Sequence, residues 1–331
     1  MRSWFILFLT VTTVSAAAFT SKDDLVTAIN ICLRANSTGQ VCCASSCGVA
    51  GFTEMKDWDV SKVTDMSDLF KGKTAFNAPI GAWVTSQVMD MDQMFDGAYA
   101  FNQPLTFNTT QVTDMEDMFY DARAFNQRLT FDTKQVTDMS GMFWNAYAFN
   151  QPLPFDTKQV TDMQGMFYKA TAFNQPLTFN TKQVMTMGDM FQGATAFNQP
   201  LTFDTKQVTD MHSMFSGAIA FDQDISGWDT SEVTDMADMF LGATEYNKPM
   251  CIGDDHPFGC RPQVCIDVNV PYVGCIMPAC PAGQLRVSDG AGCTIPVELT
   301  TPACPTSLEN CNASGLEVIK GLYNDHPNKT C

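Results

Sequence analysis

Residues 58–250 carry one pattern of apolar and polar positions over and over. In one representative turn of it, Val136, Met139, Met142 and Phe143 are apolar at the three- and four-residue spacing of a helix. Thr137 and Asp138 stand just ahead as N-cap types. Two residues past Phe143 comes Asn145, and the same column holds Gly72, Gly97, Asp121, Gly193, Gly217 and Gly242, all tolerant of a left-handed C-cap; Lys169 fits poorly. The spacing predicts a helix of about two turns in each repeat. The remainder is extended: Leu153 and Phe155 stand at strand spacing. Prolines at the start of this run (Pro79, Pro104, Pro152, Pro176, Pro200, Pro249) suit the first residue of a short strand rather than its middle.

The period is nearly invariant. Met66, Met91, Met115, Met139, Met163, Met187, Met211 and Met236 follow one another in steps of 25, 24, 24, 24, 24, 24 and 25 residues, which makes eight units. A period in the twenties predicts a solenoid, whose units bury their apolar faces by stacking on one another. A residue type that recurs eight times is then scaffold before it is active site.

The flanks differ from the repeats. Arg2, the apolar stretch Trp4–Val14 and the small residues Ala16–Ala18 form a signal peptide over 1–18, with cleavage expected before Ala17 or Phe19. No later stretch approaches the ~18 apolar residues of a transmembrane helix, so no membrane insertion is expected after cleavage. The segment 19–57 contains a predicted capping helix at 21–34, with Ser21 and Asp24 as a capping box and Leu25, Ala28, Ile29 and Cys32 on one face. All 13 cysteines lie outside the repeats, four before them and nine after, the arrangement of disulfides in an exported chain. Their connectivity stays open. The odd number leaves one thiol free or bonded to another molecule, with Cys331 the first candidate. Residues 251–331, rich in Pro, Gly and Cys, form a disulfide-bonded cap or a small separate module. A zinc site using His256 between Cys251 and Cys260 is disfavoured by export. Asn36, Asn108, Asn312 and Asn328 are candidate N-glycosylation sites. A net charge of −17 argues against nucleic acid or an anionic membrane as partner.

The segments Val-Thr-Asp-Met-Ser-Gly-Met-Phe (136–143) and Ala-Phe-Asn-Gln-Pro-Leu (148–153) resemble the repeats of BspA-like leucine-rich-repeat surface proteins. More narrowly, they are similar to an uncharacterised repeat first catalogued in mycoplasma surface lipoproteins. Its Trp-Asp-x-Ser lead is present as Trp58-Asp59-Val60-Ser61 and Trp228-Asp229-Thr230-Ser231, with Phe replacing Trp in the inner units. The resemblance implies an α/β fold, a right-handed leucine-rich-repeat-like solenoid of eight coils with short helices and short parallel strands. It implies extracellular or cell-surface exposure and an adhesive or recognition role toward a protein or glycan. It supplies no catalytic residue and no cofactor.

Candidate chemistry is sparse. The Asp column (Asp65, Asp90, Asp114, Asp138, Asp162, Asp210, Asp235, with Thr186) suits capping or bonding to the next coil, and a calcium ladder lacks the six to eight oxygens each ion needs. The Asn column (Asn77, Asn102, Asn126, Asn150, Asn174, Asn198, Asn247, with Asp222) suits an amide ladder between coils. His212 falls in a variable slot expected to be exposed, and no histidine completes a triad or metal motif, so no enzyme is expected, a glycan-active one being the nearest alternative. Thr106, Thr130, Thr178 and Thr202 leave open a hydroxyl array for ice or mineral, broken by Pro154 and neighboured by Lys134, Lys158, Lys182 and Lys206. Two variable slots, directly after the Phe of Met-Phe and three residues later, concentrate Tyr99, Tyr120, Arg123, Trp144, Tyr147 and Tyr168 in units two to five. These are the residue types of binding hot spots, and stacking of coils predicts them on one patch.

Overall fold

The computed structural model describes residues 17–43 and 46–247, with five short strands beyond them. The signal peptide, Asn312, Asn328 and the disulfides of the cysteine-rich tail fall outside the described residues.

Within 58–247 each unit lies against the next. Seven parallel bridges run through one column: Asp65, Asp90, Asp114, Asp138, Asp162, Thr186, Asp210 and Asp235. Seven bridges join eight units in sequence order, each unit pairing with its immediate successor.

The predicted two-turn helix is absent from every unit among the described residues. Two residues per unit adopt left-handed backbone: Gly141 (φ 57°) and Asn145 (φ 54°) in the fourth unit, Asp117 (φ 50°) and Asp121 (φ 53°) in the third. A right-handed helix cannot pass through such a residue. The chain makes consecutive tight turns instead. Met142, Trp144 and Ala146 donate their N–H groups three residues back, to Met139, Gly141 and Phe143, at 3.3, 2.8 and 3.1 Å. The intervening N–H groups of Met139, Gly141, Phe143 and Asn145 donate to Asp162, Gln164, Met166 and Tyr168 of the next unit at 3.1, 2.8, 2.9 and 2.7 Å. Alternate amides thus close a turn and join two coils. A helix would have kept all of them inside one unit. The apolar spacing reads as helical because the turns also place Met139, Met142, Phe143 and Ala146 inside.

The predicted strand is also absent among the described residues of the repeats. Leu153 and Phe155 are buried, but no strand forms there. Pro152 lacks an N–H, and the link to the next coil is made by a threonine side chain instead. Thr157 Oγ1 donates to the Asn180 carbonyl at 3.0 Å and accepts the Asn180 N–H at 2.8 Å. Buried Thr85, Thr109, Thr133, Thr181 and Thr205 donate in the same way to the following unit. A hydroxyl is a sound choice here because a buried carbonyl left unpaired would be destabilising.

Two files of stacked phenylalanines fill the interior. Phe143 stacks on Phe119 and Phe167 at 5.7 Å each, and on Phe149 of its own unit at 4.0 Å. The asparagines form a third file. Asn150 Oδ1 accepts the Asn174 N–H at 3.0 Å and the Gln175 amide at 2.9 Å, and the same pair of bonds recurs from Asn77 to Asn198.

The helix α1 (Lys22–Ala35) buries Leu25, Ala28, Ile29 and Cys32, with Ser21 as N-cap accepting from the Asp24 N–H. The disulfide Cys32–Cys42 ties it to the following loop, and Cys43–Cys47 closes a short turn within that loop. This segment supplies to the first unit what a preceding coil supplies to the others. The Asn77 N–H donates to the Thr38 carbonyl at 3.0 Å, where later units use the previous asparagine. Lys22 Nζ meets the Asp65 carboxylate at 3.0 Å, and Lys73 Nζ reaches Asn30 at 2.9 Å.

Beyond the repeats, β1 (Met250–Ile252) pairs antiparallel with β2 (Val264–Ile266). The strands β3 (Ala279–Cys280), β4 (Gln284–Val287) and β5 (Cys293–Pro296) form an antiparallel sheet in that order. No helix among the described residues is long and apolar enough to cross a membrane.

Candidate functional site

Within one unit, the stretch that begins at the Asp column alternates buried apolar positions with outward ones. In most units the outward slots lie two, three, six, seven and nine residues after the Asp, with Ser67, Gly141, Gly165 and Gly188 buried, and they are where the units differ. Each Asp closes a local turn: Asp138 Oδ1 accepts the Ser140 N–H at 2.8 Å, and Asp90, Asp114, Asp162, Asp210 and Asp235 do the same two residues on. The column caps turns rather than helices.

The six residues singled out for a binding patch fall into two rows. Six residues after the Asp, Tyr120 stacks on Trp144 at 5.6 Å and Trp144 on Tyr168 at 3.7 Å. Nine residues after it, Arg123 lies over the Tyr99 ring at 4.0 Å and the Tyr147 ring at 5.8 Å. Tyr99 and Tyr147 remain 37% and 38% exposed, which distinguishes them from the sealed phenylalanine files. Trp144 is half-buried because its ring leans over Gly165 of the next unit, where an added Cβ would meet it at 2.4 Å. Lys169 Nζ sits 4.9 Å from the Tyr168 ring.

Beside the rows lies a cluster of acids that sequence reasoning did not single out. Burial, with Asp138, Asp117, Asp92 and Asp114 around it, pushes the Glu116 carboxyl up to about 7. Burial and the neighbouring Asp96 and Asp92 push Asp117 up to about 6. Asp92, Asp96 and Asp114 are raised as well, burial again leading. The Tyr120 hydroxyl is raised by burial and then by Asp121, Asp117 and Asp96, so acids and aromatic row share one electrostatic neighbourhood. The cluster is invisible along the chain because its members come from successive units. The signal was available in the repeat alignment, where the slots two and three residues after the Asp hold Asp92, Glu116 and Asp117.

His212, expected to be exposed, is half-buried. Its Nδ1 lies 2.7 Å from Asp210 Oδ1 and its Nε2 3.1 Å from Asp189 Oδ2 of the preceding unit. Burial opposes its charged form, but the two carboxylates outweigh burial and raise its pKa. Asp210, His212 and Asp235 hold donor atoms within 4.8 Å of one another, the donor set of a small cation site. Both imidazole nitrogens already face carboxylates, so the arrangement is that of an ion pair between coils. The neighbouring sulfurs of Cys32, Cys42 and Cys43 are engaged in disulfides.

Asn108 is exposed and Asn36 half-buried at the end of α1; each accepts a threonine N–H and hydroxyl two residues on. Thr106, Thr130, Thr178 and Thr202 are exposed. Lys134 and Lys158 pair with Asp132 and Asp156 of their own units at 3.2 and 3.5 Å.

A family model described as "Mycoplasma protein of unknown function, DUF285" matches residues 45–153, 129–202 and 177–252, three overlapping stretches that cover the repeats. The chain belongs to this family of mycoplasma-type repeat proteins. No curated protein and no solved structure matches it.

Proposed function

We propose that the chain is an exported, non-enzymatic binding or adhesion protein of the BspA-like leucine-rich-repeat type, built as a right-handed solenoid, which recognises an extracellular protein or glycan. The observation that carries this reading is the pair of aromatic rows in units two to five. Half-exposed Tyr, Trp and Arg side chains, aligned by a repeating scaffold, are what hot spots are made of. The disulfides and the signal-peptide pattern support an extracellular or cell-surface location. The test is a glycan and surface-protein binding screen with the full chain, repeated with Trp144→Ala/Tyr147→Ala. Capture is expected to be lost in the double variant while circular dichroism and melting stay unchanged. Undiminished capture would move the site elsewhere.

The exposed column Thr106, Thr130, Thr178 and Thr202 supports a second reading, binding to a periodic solid such as ice or mineral. It predicts thermal hysteresis or crystal adsorption, and the lack of both removes it.

A further inference from the structure

The aromatic rows do not stand on a neutral surface. Around them, Asp92, Asp96, Glu116, Asp117 and Asp121 come from units two and three, and the cations among them are few. Lys71 Nζ is held by Asp96 at 3.2 Å and Asp68 at 3.5 Å, and Arg123 is held by Asp121 at 3.3 Å. Glu116 feels four acids, Asp138, Asp117, Asp92 and Asp114. Asp92, Asp114, Glu116 and Asp117 form no ion pair among the described residues, and carboxylates gathered in this way repel one another, so the surface carries a local surplus of negative charge.

The ring faces already show what they accept. Arg123 occupies the space between Tyr99 and Tyr147, and Lys169 stands over Tyr168. Aromatic faces attract guanidinium and ammonium groups through their quadrupoles, and adjacent carboxylates strengthen that preference. A neutral sugar would use the rings and leave the acids uncompensated. An anionic ligand would be repelled.

We propose that this surface takes a lysine- and arginine-rich polypeptide segment, its cationic side chains lying on the Tyr120–Trp144–Tyr168 row and pairing with Asp96, Glu116 and Asp117. The inference rests on the patch reading above and narrows it from any protein or glycan to a basic polypeptide.

Of the five tryptophans, Trp4 lies in the segment expected to be removed with the signal peptide and Trp58, Trp83 and Trp228 are buried at 3, 4 and 8% exposure, so Trp144 reports on the site in the processed chain. The full chain is titrated with an octapeptide of alternating Arg and Ala, a Glu–Ala octapeptide, chitohexaose and calcium chloride, followed by tryptophan fluorescence and calorimetry. The basic peptide is expected to perturb Trp144 and to bind more weakly as salt rises. Glu116→Gln/Asp117→Asn is expected to weaken binding about tenfold while raising the melting temperature, since it removes repelling charges. Trp144→Ala, read by calorimetry, is expected to weaken binding by a similar factor. A double carboxyl variant that binds the peptide as tightly as the parent overturns the inference. Chitohexaose binding without peptide binding overturns it too, but leaves the patch reading intact. Calcium binding in the absence of peptide binding would make the acids a cation site and likewise overturn it. A response to none of the four ligands overturns the inference, while the broader patch reading is decided by the glycan and surface-protein screen.

Discussion

The asparagine file can be tested at one rung. Asn150 Oδ1 accepts two bonds from the next unit, from the Asn174 N–H at 3.0 Å and the Gln175 side-chain amide at 2.9 Å. Asn150→Ala removes both. The Gln175 amide can turn to water, so little is lost there. The Asn174 N–H is fixed by the backbone, and a donor left unpaired in a half-buried site costs about 1–3 kcal/mol. With the second bond included, the loss should be about 2 kcal/mol. Asn150→Asp keeps an acceptor oxygen in place, as Asp222 does at the equivalent position of another unit, and should cost under about 1 kcal/mol. Urea unfolding followed by circular dichroism at neutral pH measures both variants, and hydrogen exchange at the Asn174 amide localises the effect. A loss below about 0.5 kcal/mol for alanine would show that the oxygen is not what joins the coils. Equal losses for alanine and aspartate would show that the amide hydrogens matter instead.

Phe143→Ala removes a ring stacked on three others and should destabilise by about 3–5 kcal/mol in thermal or urea unfolding, against a smaller loss for Phe143→Leu. Stability should fall as pH rises from about 5 to about 8. Glu116 (about 7) and Asp117 (about 6) hold protons in the folded state that the unfolded chain has already released, so the folded form binds more protons across that window. The raised pKa of His212 acts in the same direction, its contribution present at low pH and lost as pH climbs through the folded value. Asp59 and Asp229, held low by the hydroxyls and N–H groups of Ser61 and Ser231, oppose this only in stronger acid. The summed effect should be roughly 1 kcal/mol after solvent screening, and a melting temperature that is flat or rises over the window would refute it. Deleting residues 19–50 strips the Lys22–Asp65 pair and the Thr38 acceptor from the first unit, and should lower the melting temperature and promote self-association in sedimentation. A monomer of unchanged stability would show that α1 is dispensable.

The repeat, its unit boundaries, its buried columns and the helix at the start were legible in the sequence, because each leaves a trace in composition at fixed spacing. The Met-x-x-Met-Phe spacing misled about local structure. It fits a helix and a run of three-residue turns equally well, and what separates them is the backbone of Gly141 and its equivalents. Four of the eight residues at that position are aspartates, which read as ordinary helix-surface residues. The column at Asn145 is left-handed in residue type except at Lys169, where the backbone is left-handed all the same, with φ 50°. Aromatic neighbours could be inferred from the period alone. The acid cluster and the His212 clamp could not be found by reading along the chain, since each joins residues some 23 or 24 positions apart.

The alternating amides have a consequence for how such a chain can change over generations. Each coil offers on one side the same carbonyls, amides and ring faces that it requires on the other. Removing or duplicating 24 residues between equivalent positions therefore leaves donors matched to acceptors. The two 25-residue steps place their extra residue between Asn77 and Thr85 and between Asp222 and Thr230, on the arc where a threonine side chain rather than a ladder of amides makes the join. Copy number can thus drift by recombination within the gene while the outward slots mutate independently. Adjacency on the surface becomes a matter of which copies happen to stand together, so a recognition patch can be assembled, widened or erased by unequal exchange without a change to the interior.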